Sequence, residues 1–165
     1  MENNKIIKFK GNILLRATNA IEITNKLLNI DLRKIHILHF DDHKLFLKGM
    51  ELYLRKYFPN LTSEKFTNSQ TALNYIKTSF KENIHLDLII TGLNQRPDIN
   101  GYEFAKAVRE IEKPANKRTY ILLVSMYDLE FPLIKRGLEE KIFDKYFPKS
   151  ADLEIIESIK LILGN

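Results

Sequence analysis

The chain of 165 residues has no cysteine, which excludes disulfides and thiolate metal sites and is compatible with a reducing compartment. No apolar run approaches the length of a membrane span, and Met1-Glu2-Asn3-Asn4-Lys5 lacks the basic start and unbroken apolar stretch of a secretory leader. Internal repeats and low-complexity stretches are also missing. A soluble, cytoplasmic protein without a membrane partner is expected. The length suits one domain with a substantial core and a small appendage, not two full domains.

The formal charge is +5, but it is unevenly spread. Residues 1–34 hold seven Lys or Arg against three acids, and residues 35–165 hold nineteen against eighteen. The main body is therefore nearly neutral, and the excess belongs to a leader whose lysines are scattered. Aromatic interleaving there is limited to Phe9, and no helix-turn-helix pattern follows. Nucleic acid is not the expected partner.

From Lys34 onward, short apolar runs alternate five times with amphipathic segments, the pattern of a parallel sheet with crossover helices. Strands are expected over 35–40, 62–67, 86–91, 119–125 and 142–147. The first helix is expected over 43–58 with Phe46, Met50, Tyr53 and Tyr57 on one face. The second is capped by Asn68 or Ser69 and buries Ala72, Leu73, Ile76 and Phe80. The third follows Gly101, with Phe104, Ala105, Val108 and Ile111 inward, and ends near Pro114. The fourth starts near Pro132 with Leu133, Ile134 and Leu138 buried, Gly137 weakening its interior. Ser150 is expected to cap the last, with Leu153, Ile156, Ile159 and Leu163 at core spacing.

Residues 1–33 form an N-terminal extension of another kind. Ile6–Phe9 and Ile13–Leu15 flank Lys10-Gly11-Asn12, which suits a hairpin, and Thr18 is placed to cap a helix through Asn29. So small a piece cannot fold alone. Its apolar residues have to pack on the main body, on another subunit or on a partner.

Open parallel sheets place their chemistry at the C-terminal ends of strands. Those ends carry Asp41-Asp42 after the first strand, Gly92 after the third, Ser125 after the fourth and Lys149 after the fifth. Each is weak alone: Asp42 suits a helix cap, Ser125 a strand-end hydroxyl and Lys149 a solvated cation. Their order and spacing are more informative. At the third strand end, where a nucleophile would meet a ligand, Gly92 has no side chain.

Over about residues 35–163 the chain resembles the receiver domain of two-component response regulators. The resemblance rests on Ile37-Leu38-His39-Phe40-Asp41-Asp42-His43 with Gly49 following, Asp87 to Thr91, Pro97 to Gly101, Leu122 to Ser125, and Tyr146-Phe147-Pro148-Lys149. It implies a flavodoxin-like, doubly wound α/β fold over 34–165, with five parallel strands in the order 2-1-3-4-5. The Asp-Asp-His opening is similar to a subfamily that carries a C-terminal helix-turn-helix domain, which is not expected here because the sequence stops after the fifth helix.

In the family an acidic pair helps bind Mg²⁺, an aspartate ending the third strand takes a phosphoryl group, a hydroxyl senses it and a lysine contacts it, chemistry that suits oxygen ligands and positioned cations. Carried over, Asp41 and Asp42 match the pair, with the Asn94 backbone carbonyl as a further metal ligand. Ser125 matches the hydroxyl, Lys149 the cation and Tyr146 the switch aromatic. Gly92 matches the phosphoacceptor and cannot do its work. The Gly92–Pro97 loop is one residue longer than usual, displacing Asn94. Met126 stands where a small residue lets the aromatic swing inward, so Tyr146 is expected to be locked. Ser150 replaces a proline that many receivers, though not the subfamily with this opening, carry.

Thr91 points to the opposite sheet face and is no substitute nucleophile. Lys149 is then free to pair with one of the carboxylates, and Mg²⁺ binding is expected to be weak. The resemblance implies a pseudo-receiver, not an enzyme, acting in signal transduction through protein contacts with a histidine kinase, a response regulator or another signalling protein, or as a homodimer. The alternative is a phosphorelay receiver that accepts a phosphoryl group from a histidine kinase and whose acceptor has been replaced at Gly92 in this variant.

Overall fold

The computed structural model describes residues 34–93 and 100–164. The expected hairpin and helix of residues 1–33, and Asn94, lie outside them. Five parallel strands, β1 (Ile35–Phe40), β2 (Leu61–Phe66), β3 (Leu88–Thr91), β4 (Tyr120–Ser125) and β5 (Lys145–Pro148), form one sheet in the order β2-β1-β3-β4-β5. The helices are α1 (Lys44–Tyr57), α2 (Ser69–Lys81), α3 (Gly101–Glu112), α4 (Pro132–Glu139) and α5 (Asp152–Leu163).

Two cores sandwich the sheet. Ile35, Ile37, Leu88, Ile90, Leu122 and Val124 point to α1 and α5, while Leu38, Phe40, Ile89, Ile121 and Leu123 point to α2, α3 and α4. The alternation follows from the two-residue strand period, and the apolar runs of β3 and β4 follow from burial on both faces.

Several expectations are corrected. The last strand starts at Lys145, not at 142, because Phe143 turns into the core at 1% exposure and the Asp144 carboxylate is held by Arg109, Arg118 and the Ile121 N–H. These bonds hold the segment as a turn, and the ladder begins where Lys145 meets Leu122. The N-cap of α5 is Ala151 with no side-chain bond, not Ser150; the Ala151 N–H turns back to the Pro148 carbonyl. Starting at Asp152, α5 buries Ile155, Ile156, Ile159 and Leu163 and leaves Leu153 exposed. The core residues of α1 are Leu47, Met50 and Leu54, with Phe46, Tyr53 and Tyr57 packed at their flank.

Two glycines are required by close approach. A β-carbon on Gly101 would stand 1.9 Å from the Gly92 carbonyl oxygen, so α3 starts hard against the end of β3. One on Gly137 would stand 2.3 Å from the Phe143 ring, which explains a glycine inside α4.

Candidate functional site

Asp41, Gly92, Ser125 and Lys149 reach the same end of the sheet from four strands. The register puts Phe40 beside Thr91, and the Gly92 N–H donates to the Phe40 carbonyl at 2.8 Å, so Gly92 lies next to Asp41. The Lys149 N–H donates to the Ser125 carbonyl at 2.9 Å, which brings the end of β5 to that of β4.

Lys149 pairs with Asp41 and not with Asp42: Nζ donates to Asp41 Oδ2 at 2.7 Å, across 108 residues of sequence. The side chains are 18% and 2% exposed. The other Asp41 oxygen, Oδ1, accepts the His43 N–H at 2.8 Å, and the ammonium also sits over the Phe46 ring, 4.0 Å from its centroid. Both partners of this pair are thus already engaged. A buried ion pair persists when its remaining donors and acceptors are met, and here the aromatic face and the backbone N–H help to meet them.

The helix cap suggested for Asp42 belongs to its neighbour: His43 is the N-cap of α1, its Nδ1 accepting the Phe46 N–H at 3.2 Å. Asp42 lines the mouth of the cleft. Ser125 is buried, and its Oγ accepts the Tyr127 N–H at 3.1 Å, which closes the turn after β4. Thr91 is buried and donates to the Gly92 carbonyl at 3.2 Å. No described glycine has a positive φ, so the missing carboxylate at 92 is not a demand of backbone conformation.

Met126 is not what holds Tyr146. Its side chain is 82% exposed at the cleft. Tyr146 instead packs at the edge of the core under α4 and donates its hydroxyl to the Tyr127 carbonyl at 2.6 Å. Burial, with Asp128 nearby, raises the phenol above its ordinary pKa.

The cleft has a volume of about 720 Å³. Leu45, Phe46, Leu93, Met126 and Tyr127 give it apolar walls, with Asp42, Ser125 and Lys149 among its polar groups. Mg²⁺ takes a near-octahedral set of oxygen ligands, usually one or two carboxylates with several waters. Asp41 is occupied on both oxygens, position 92 has no carboxylate, and no group of three or more His, Cys, Asp or Glu among the described residues is placed to hold a metal ion. With Asp41 engaged and no carboxylate at 92, the described residues offer the ion few oxygen ligands, which suits weak binding at most.

Two features escaped sequence reading. His39, 1% exposed on β1, has no hydrogen-bond partner for Nε2, and burial lowers its pKa to about 4, Lys65 lowering it further and Glu51 opposing. Its place at the third position of an alternating strand, after Ile35 and Ile37, was the available clue. At the other end of the sheet, Arg109 binds Glu112, Asp144 and the Thr119 and Ile142 carbonyls. Nothing in the local pattern of α3 distinguishes that arginine.

No protein-family model matches the chain, and no curated protein matches it. Solved structures do. The receiver domain of the histidine kinase CKI1 from Arabidopsis thaliana, complexed with Mg²⁺, aligns with a TM-score of 0.67 at 23% identity, covering 79% of this chain and 95% of that one. The signal receiver domain of the response regulator NarL from Mycobacterium tuberculosis gives 0.61 at 22%, covering 79% and 97%. A CheY-like receiver domain protein from Methanospirillum hungatei gives 0.63 at 18%, covering 79% and 94%. The fold is that of receiver domains, as the resemblance implied.

Proposed function

We propose that the chain is a pseudo-receiver: a signalling module with receiver architecture that works through protein contacts, without aspartyl phosphorylation and without catalysis. The observation that carries this reading is the Lys149–Asp41 pair closed beside a residue that has no carboxylate. The cation that would contact a phosphoryl group and the carboxylate that would help hold a metal are bound to each other. An acyl phosphate has no atom to form on at Gly92. A phosphorylation switch needs a ligand that favours one of two conformations, and this pocket supplies no covalent one.

Mg²⁺ is present in a structural neighbour, but here its binding requires Lys149 to leave Asp41, which keeps it weak. Tyr146 and the surface around α4, β5 and α5 are the proposed contact region. The fitting partners are a histidine kinase, a response regulator, another signalling protein or a second copy of this chain, in the cytoplasm.

The alternative, a phosphorelay receiver whose acceptor was replaced, is supported by the backbone at 92, whose φ is not one that demands glycine. Acetyl phosphate with Mg²⁺, followed by mass spectrometry, separates the readings. The unaltered chain is expected to gain no phosphoryl adduct, and an adduct on it would reject the pseudo-receiver. An adduct on Gly92→Asp alone would show that the remaining pocket is competent once Lys149 is released.

A further inference from the structure

The outer surfaces of the two helical layers differ in a way the fold does not require. Leu45 and Leu52 on α1 are 75% and 62% exposed, and Leu153 and Leu161 on α5 are 62% and 66% exposed. The other large exposed hydrophobics of the described residues, Ile84, Tyr120, Met126 and Leu129, lie outside the helices, so α2, α3 and α4 expose none. Single exposed leucines need no explanation, but their gathering on one layer does. Spacings of seven and eight residues put each pair on one side of its helix, two turns apart. The two helices are neighbours, since Lys160 of α5 lies over the Tyr57 ring of α1, 5.5 Å from its centroid.

We propose that residues 1–33 of the same chain cover this α1–α5 face. The segment carries thirteen Met, Ile, Leu or Phe side chains, too many to leave hydrated and too few to form a core of their own. It enters at the right edge. Ile35, the first residue of β1, donates to the carbonyl of Asn60, just beyond the C-terminus of α1. The 14 residues of α1 span about 21 Å, which roughly seven extended residues cross. The covalent tether holds the segment at an effective concentration in the millimolar range.

Charge favours the α5 side. Residues 1–33 hold six Lys or Arg and three acids, a net +3. The outer side of α5 exposes Asp152, Glu154 and Glu157, while that of α1 exposes Lys44, Lys48 and Lys56. The basic segment therefore seats its cations along α5 and its apolar side chains on the four leucines. This inference is independent of whether the pocket takes a phosphoryl group.

The full chain has no tryptophan, so a single indole introduced by Leu161→Trp reports on this face. The expected result is short-wavelength emission and iodide quenching several-fold weaker than for a Leu129→Trp control, with a monomeric mass by light scattering and no dependence on protein concentration. Replacing Ile13, Leu14, Leu27 and Leu28 by serine in the Leu161→Trp chain is expected to expose the indole while far-ultraviolet circular dichroism still reports the α/β fold. Glu154→Lys with Glu157→Lys is expected to expose it partly. Solvent-like emission in the parent chain would overturn the proposal. So would shielding that survives the serine substitutions, or shielding that rises with concentration alongside a dimeric mass, which would assign the face to a second copy.

Discussion

Both ends of the sheet hold a buried cation–carboxylate cluster, and they are built differently. At the N-terminal ends of the strands, Arg109 reaches Glu112 and Asp144 at 2.7 Å and two backbone carbonyls, while the carboxylates also take the Thr119 and Ile121 N–H groups. At the C-terminal ends, Lys149 has one carboxylate, one aromatic face and a border with the cleft. The guanidinium fork joins α3 to β4 and the turn before β5 in a fixed geometry, whereas a flexible ammonium is held at a single point. Similar charge chemistry therefore cements the fold at one end and borders the candidate cleft at the other.

The largest effect should come from breaking the cement. Arg109→Leu leaves Glu112 buried without its cation and Asp144 with Arg118 alone, and is expected to cost about 4 kcal/mol, read as a lower denaturation midpoint. A loss under about 1 kcal/mol would show that the two ends are not so different.

His39 tests burial of a ring whose Nε2 has no hydrogen-bond partner. Its folded pKa of about 4 lies below the ordinary 6.5, so between those values the unfolded chain binds more protons and stability falls as the pH drops. The loss is complete below the folded pKa and amounts to roughly 3 kcal/mol. His39→Leu is expected to flatten this part of the stability–pH curve, and an unchanged slope would assign it to other groups.

Lys149→Met is expected to cost less than Arg109→Leu, about 2 kcal/mol, because the pocket is open to water on the cleft side. Removing both charges, as Asp41→Asn with Lys149→Met, is expected to recover part of that loss in a double-mutant cycle. If Lys149→Met matched Arg109→Leu, the contrast between the ends would fail. Met126→Ala, at an exposed position on the cleft, should move stability by no more than about 0.5 kcal/mol; a larger change would restore a packing role beside Tyr146.

Legibility in the sequence tracked locality. The apolar runs of β3 and β4 announced themselves because burial on both sheet faces leaves few polar positions, and the stripe of Ala72, Leu73 and Ile76 followed the helical period. The final strand starts later than its apolar run suggests, because Phe143 turns into the core and Arg109, 35 residues away, takes the Asp144 carboxylate. Spacing alone places Leu153 in the core, because it does not say where α5 begins. The candidate pocket was legible as residue types at strand ends, but not as a closed pair.

The order of apolar and amphipathic segments determined an alternating α/β chain, and the identity of residue 92 determined that no carboxylate stands there. Both are properties of a residue and its near neighbours. That Lys149 chose Asp41 over Asp42, that Arg109 became the centre of a network and that His39 lost its water were decided only by the tertiary structure. Each depends on which strands lie side by side and on the dielectric their packing creates, and parallel crossovers bring those groups together from distant parts of the chain.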